Sequence, residues 1–156
     1  MQPVLFDSSI YITVLRLGPE AALGLRRMAA GGPVWLSSVV LEELYAGAST
    51  RSRHVVERLE RDFHRACRIL VPNLTDWTQT GKVLALLAAK YDYEQIGKGR
   101  LTNDSLIAMS AGRLGITVIT ANARDFKKLS DFRPFQWRVE KPGTDWSDNC
   151  QGGVIS

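Results

Sequence analysis

The sequence predicts an α/β fold with a mostly parallel sheet covered by helices on both faces. Three observations carry that expectation. Short apolar runs of strand length alternate along the chain with longer segments whose apolar residues recur at helical spacing. The runs are continuous rather than alternating, as in strands buried on both faces. The length, 156 residues, suits one domain and is too short for two ordinary ones.

Val4-Leu5-Phe6 lies between Pro3 and Asp7 and reads as a buried strand. Ser8 or Ser9 can cap a helix to about Leu17, which Gly18-Pro19 breaks. Pro19 then suits the first turn of a second helix through Met28. Gly31-Gly32-Pro33 turns the chain into a second strand, Val34 to Ser37. Ser38 is the expected cap of a helix carrying Leu41, Leu44 and Tyr45 that stops near Gly47. From Ser49 to about Ala66 the chain is charged, with Val55, Val56, Leu59 and Phe63 near helical spacing. Ile69-Leu70-Val71, closed by Pro72, is a third strand. Thr75 is the expected cap of a helix containing Trp77, Val83, Leu84, Leu87 and Ala88.

Gly97 to Arg100 is a basic, glycine-containing stretch, and a helix from about Asn103 to Leu114 follows, ended by Gly115. Ile116 to Thr120 is the clearest strand and Phe135 to Val139 the last. Asp125-Phe126-Lys127-Lys128 has the composition of an ordinary loop. There is no internal repeat. Lys141 to Ser156 contains proline and three glycines with little apolar periodicity, so residues 1–140 read as the domain and 141–156 as a flexible tail.

Hydrophobic residues at 45% and charged residues at 23% exclude a disordered, collagen-like or membrane-spanning chain. Lys and Arg number 20 against 16 acids, a net charge of +4, which suits a nucleic-acid partner without demanding one. Cys67 and Cys150 are far apart with no CxxC spacing, which argues against a zinc site or disulfide scaffold and for a reducing cytosol. No signal-type apolar core is present, and no apolar run reaches the roughly 18 residues of a membrane span. The chain therefore reads as soluble and cytoplasmic, with no membrane partner.

In open α/β sheets, ligands gather outside the carboxyl ends of the strands. Asp7 directly follows the first strand, Glu43 is one turn into the helix after the second, and Asp104 opens the helix leading to the clearest strand. Asn122 and Asp125 follow that strand's end. Carboxylates converging on one sheet edge repel, and a hard divalent cation such as Mg²⁺ removes the repulsion. Such an ion activates water and offsets charge on a phosphoryl group, so the pattern suggests metal-dependent phosphodiester hydrolysis. The hardware of other chemistries is missing: there is no GxxxxGK[ST], no GxGxxG after a strand, no GxSxG, and only two histidines.

The same residues carry a family resemblance. Val4-Leu5-Phe6-Asp7-Ser8-Ser9 and Leu36 to Gly47 resemble the first two motifs of the PIN domain. Asn103-Asp104-Ser105-Leu106-Ile107-Ala108 and Val118 to Phe126 resemble the third and fourth. Order and spacing match over about residues 3 to 139, and the nearest resemblance is to VapC-type toxins of toxin–antitoxin pairs. The resemblance implies a three-layer α/β/α sandwich with a mostly parallel sheet of about five strands. It further implies a Mg²⁺- or Mn²⁺-dependent endoribonuclease, held inactive by a cognate antitoxin and assembled as a homodimer.

Matched motif to motif, Asp7, Glu43 and Asp104 take the three core metal-binding positions. The fourth falls to Asp125 or Asn122, with Asp125 placed ahead, since many relatives carry an acid where Asn122 stands. Ser9 and Thr120 match polar positions beside the acids. Asp7 and Asp104 are then expected to hold the principal ion, and Glu43 and Asp125 to orient the attacking water or bind a second ion.

Simpler readings compete at each position. Asp7 and Asp104 can cap helices. Glu42 competes with Glu43, although helical neighbours point about 100° apart and cannot both reach one ion. His54 and His64 read as surface groups. Arg51, Arg53, Arg58, Arg61, Arg65 and Arg68, interrupted by Glu57, Glu60 and Asp62, read as a solvated helix face. Lys98, Arg100, Arg124, Lys127 and Lys128 flank the third and fourth motifs, where an RNA backbone would pass. Trp35, Trp77 and Trp137 are expected in the core or an interface, and Trp146 on its own domain. Leu15, Leu17, Leu23 and Leu25 fit either a dimer or antitoxin surface, or ordinary core. Two rival functions remain beside the toxin: a housekeeping PIN nuclease in RNA processing or DNA repair, and a catalytically inactive RNA- or protein-binding module.

Overall fold

The computed structural model describes residues 1–91 and 100–140, without the side chains of residues 19–23 and 100. Lys98, Trp146, Cys150 and the tail from 141 lie outside the described residues, as do the side chains of Arg100 and Leu23. The element order is β1 (Val4–Phe6), α1 (Ser8–Leu17), α2 (Pro19–Ala29), β2 (Val34–Ser37), α3 (Ser38–Gly47), α4 (Arg53–Arg65), β3 (Ile69–Leu70), α5 (Leu74–Lys90), α6 (Arg100–Arg113), β4 (Thr117–Thr120), α7 (Ala123–Phe132) and β5 (Trp137–Val139). The five strands form one sheet in the order β3-β2-β1-β4-β5, and every pairing is parallel.

Right-handed crossovers fix the layers. The chain moves from β1 towards β3 in one direction, which puts α1 to α4 on one face. It then crosses back to β4 and β5, which puts α5, α6 and α7 on the other. The result is the three-layer α/β/α sandwich. The central strands sit between the layers, and Val4, Leu5, Phe6, Leu36, Val118 and Ile119 are buried. The β1–β4 register pairs Val4 with Thr117, Leu5 with Val118 and Phe6 with Ile119, so the two strands end side by side.

Two glycines are required by geometry. Gly18, at φ +92°, breaks α1 from α2 in a conformation that L side chains rarely adopt. At Gly32 a Cβ would meet the backbone oxygen of Gln2 at 2.1 Å.

The helix starts correct the sequence reading. Asp7, not Ser8 or Ser9, caps α1; Ser37, not Ser38, caps α3; and Asn73, not Thr75, caps α5. Where polar residues are adjacent, composition does not say which one keeps an extended backbone and reaches forward to the first turn. α4 begins at Arg53, after a turn in which Ser52 N donates to the Ser49 carbonyl. α6 begins at Arg100 rather than near Asn103, so Asp104 lies inside the helix and does not cap it. The stretch read as loop around Asp125 is α7. It is capped by Asn122 and anchored by buried Phe126 and Leu129 at i, i+3 spacing, a signal its polar surroundings obscure.

Trp35 and Trp137 pack half-buried against the core, whereas Trp77 is 54% exposed and is not a core residue. Leu15 and Leu17 are also exposed, so core burial does not account for them. His54, His64 and the α4 arginines are exposed.

One ion pair ties α5 to α6. Arg113 donates from Nε and Nη2 to both oxygens of Asp76, at 3.0 to 3.2 Å. Asp76 is buried and also accepts from Asn73 N at 2.9 Å, completing a capping box. Removing this carboxylate frays the α5 start and leaves the solvent-accessible Arg113 guanidinium to water. Asp76→Ala is expected to lower the unfolding free energy by roughly 1 to 2 kcal/mol in urea denaturation, mostly through the lost capping box. Adding Arg113→Ala should then cost less than it does alone.

Candidate active site

The direction of chain travel across the sheet reverses at β1, whose neighbours are β2 on one side and β4 on the other. Such a switch point opens a crevice outside the carboxyl ends of the strands. Asp7 sits there because it is the first residue past β1, and Asn122 because it lies two residues past β4. α3, starting from the end of β2, brings Glu43 from one layer. α6 brings Asn103 and Asp104 from the other. These residues, with Ser8, Ser9, Ile12 and Thr13 of α1, line one cleft of about 530 Å³.

Asp7 is 4% exposed and fully engaged. Its Oδ1 accepts from the Ser9 hydroxyl at 2.5 Å and from Ile10 N at 3.3 Å, and its Oδ2 accepts from the Thr120 hydroxyl at 2.6 Å. The Ser9 oxygen in turn accepts from Ala121 N at 3.1 Å, and the Thr120 oxygen from Asn122 N at 2.9 Å. Burial pushes the Asp7 carboxyl above the ordinary carboxylate range, against the opposing pull of these hydrogen bonds.

Glu43 is half-buried. Its Oε2 accepts from the Ser8 hydroxyl at 2.5 Å, and its Oε1 is buried with no hydrogen-bond partner. Burial pushes its carboxyl upward, the Ser8 hydroxyl and the nearby Asn103 amide pull it back, and the charges of Asp7 and Glu42 add a smaller upward push. Glu42 is exposed, faces Asn103, whose amide donates to it at 3.2 Å, and is not on the cleft wall. Asp104 is buried at 8% exposure and lines the cleft.

Asn122, not Asp125, stands on the wall. The Asn122 Oδ1 caps α7 by accepting from Arg124 N at 3.3 Å, and its amide donates to Asp125 Oδ2 at 3.4 Å. Asp125 therefore meets the site only through Asn122, and the order in which the sequence placed the two is reversed in space. Ser8 is the residue sequence reasoning passed over. Its partner lies 35 positions away, and only the adjacent Ser-Ser pair after Asp7 hinted at two roles. Among the basic candidates, Arg124 and Lys127 are exposed, and the Lys128 ammonium lies over the Tyr91 ring at 4.8 Å.

The donor set suits a hard divalent cation: oxygens only, two carboxyls whose charged forms burial disfavours, and one orphaned buried oxygen on Glu43. As the side chains stand, no three Asp, Glu, His or Cys among the described residues are gathered closely enough to hold an ion. Binding would draw the acids inward or use water between them and the cation, as Mg²⁺ commonly does.

The fold and cleft define an all-parallel α/β/α sandwich with acids from three elements at its switch point. The chain belongs to the PIN domain family, whose model matches residues 4–131. No curated protein matches the sequence significantly. Similar solved structures include DNA-bound VapBC from Salmonella typhimurium, with a TM-score of 0.65 and 23% identity over 89% of this chain and 98% of that one. VapBC2 from Rickettsia felis, bound to a promoter DNA fragment, has a TM-score of 0.66 and 21% identity over 90% and 100%. VapBC-5 from Mycobacterium tuberculosis has a TM-score of 0.57 and 19% identity over 90% and 99%. At these identities the likeness is one of fold. No helix among the described residues is long and apolar enough to cross a membrane.

The raised Asp7 carboxyl has a stability consequence. A carboxyl with a higher pKa folded than unfolded stabilises the fold below its unfolded pKa, and that contribution is lost as pH rises through the folded value. In metal-free protein at pH 7, Asp7→Asn is therefore expected to melt at or above the wild-type temperature. The difference should shrink as pH falls and protonation removes the buried charge of wild-type Asp7. Thermal unfolding in EDTA at pH 7 and below checks this.

Proposed function

We propose that this protein is a metal-dependent endoribonuclease acting as the toxin of a toxin–antitoxin pair in the cytosol. The observation that carries the nuclease reading is one cleft at the switch point lined by Asp7, Glu43 and Asp104 from three separate elements, with a buried Glu43 oxygen left unpartnered. Membership of the PIN family supports it. The toxin assignment is supported by the fold likeness to VapBC complexes.

Asp7, Glu43 and Asp104 would hold Mg²⁺ or Mn²⁺. The ion, when bound, supplies a nucleophilic water at neutral pH and offsets charge developing on the phosphate. The chain's own residues do the rest. Ser9 and Thr120 fix both oxygens of Asp7, so its orientation is set before substrate arrives. Asn122 closes the wall at the end of β4, with Asp125 behind it. Lys98, Arg100, Arg124, Lys127 and Lys128 would steer the RNA backbone, which is position without sequence choice. Residues 1–140 form the nuclease domain in this reading and 141–156 an appended tail. A cognate antitoxin and a second copy of the chain are the expected protein partners.

One observation favours a different reading. Asn122 occupies a wall position without negative charge, as in an inactive PIN module that only binds RNA or protein. Cleavage separates the two. Purified protein with Mn²⁺ is expected to cut mixed RNA, and EDTA to stop it. Asp7→Asn and Asp104→Asn should each lower the rate at least about 100-fold. Intact activity in either variant sinks the site assignment, and no wild-type cleavage favours the binding module. Expression in cells should arrest growth with wild type and not with Asp7→Asn. A housekeeping nuclease would cleave without arresting growth.

A further inference from the structure

We propose that Ser8 is a positioning residue for Glu43, holding one carboxylate oxygen so that the other, buried and without a hydrogen-bond partner, is left for the ion. The inference rests on the metal-dependent reading above and deepens it. Both Asp7 oxygens already accept hydrogen bonds, Oδ1 from Ser9 and Ile10 N and Oδ2 from Thr120, which leaves a lone pair on Oδ2 alone. Glu43, which also lines the cleft, differs. Its Oε2 is tied to the Ser8 hydroxyl, and its Oε1 is buried with no hydrogen-bond partner.

Glutamate has three rotatable side-chain bonds, so without a tether its carboxylate has several ways to leave a crowded, like-charged site. The Ser8 hydroxyl removes that freedom at one oxygen. The tandem serines divide the work: Ser9 orients the acid of its own strand end, and Ser8 orients the acid of α3 across the cleft. Helix formation does not need Ser8, since α1 is capped by Asp7. Its hydroxyl is therefore available to act on another element. Partners that orient metal ligands typically change metal affinity 10- to 100-fold when removed.

The test uses the full chain with Mn²⁺ as probe, free Mn²⁺ being counted by electron paramagnetic resonance. S8A is expected to weaken Mn²⁺ binding about tenfold with an unchanged circular dichroism spectrum, and S8T to restore it by returning the hydroxyl. RNA cleavage by S8A should recover as Mn²⁺ is raised to saturation, which D7N should not do. Wild-type Mn²⁺ affinity in S8A, or failure of S8T to restore it, overturns the assignment. If wild type binds no Mn²⁺, the metal-dependent reading falls and takes this inference with it. If wild type binds Mn²⁺ but cuts no RNA, only the nuclease reading falls, and the S8A binding constant still decides the role of Ser8.

Discussion

Asp7 is held where a carboxylate is electrostatically uncomfortable, and most of the site follows from that. Its backbone N–H donates to the Ile119 carbonyl at 3.0 Å, extending the β1–β4 ladder by one step. Its side chain caps α1. The carboxylate cannot swing into solvent without fraying the first turn of α1, and the main chain cannot follow without loosening β1 from β4. Burial then acts on a group with no route of escape. Hydroxyls from Ser9 and Thr120 offset part of the penalty, but the carboxyl remains raised. A buried acid both pinned and incompletely compensated is a standing demand for positive charge. In the proposed metal-dependent reading, that demand would be met at the switch point, where the cleft opens.

The capping reading of Asp7 and the ligand reading are therefore not rivals. One oxygen accepts from Ile10 N while the carboxylate as a whole faces the cleft. Capping makes the position rigid, and rigidity is what a preorganised ligand needs. The two readings do separate at Asp104. There the cap interpretation fails because α6 starts at Arg100, and a buried acid one turn inside a helix has no capping duty to explain it. Glu43 is chosen over Glu42 by helical phase alone. Adjacent residues on α3 diverge, so one turns into the cleft and the other outward to the amide of Asn103.

What was legible in the sequence was whatever depends on continuous or periodic burial. Val4 to Phe6 and Ile116 to Thr120 read as strands because both faces of the central sheet are covered. Gly18 and Gly115 marked helix ends because both backbones adopt positive φ. Helix starts were harder to read, since the choice among Asp7, Ser8 and Ser9 or between Ser37 and Ser38 turns on backbone angles at single residues. α7 was missed because a short helix buries few side chains, and its charged face looks like loop. Trp77 fits a helical pattern that reads as core or interface, and its position on α5 leaves it 54% exposed, so it does not belong to the core. The acids themselves were legible through their places at element ends. The hydroxyls that orient them were legible only for Ser9 and Thr120, since the Ser8–Glu43 contact joins positions no local pattern connects.

Asn122 shows how one substitution redistributes charge without dismantling the wall. Its oxygen accepts from Arg124 N to cap α7, and its amide donates to Asp125, so both ends are already anchored to α7. An aspartate here could cap α7 equally well, but it would place a fourth negative charge on the cleft and repel Asp125. The amide instead donates to Asp125 and keeps that acid in the first turn of α7, where the helix dipole favours it. The negative charge facing the cleft thus comes from Asp7, Glu43 and Asp104. Among them only Glu43 has a carboxylate oxygen buried without a partner. In the metal-dependent reading, the order in which these groups would engage a cation is set less by how many acids surround it than by which of them already hold hydrogen bonds.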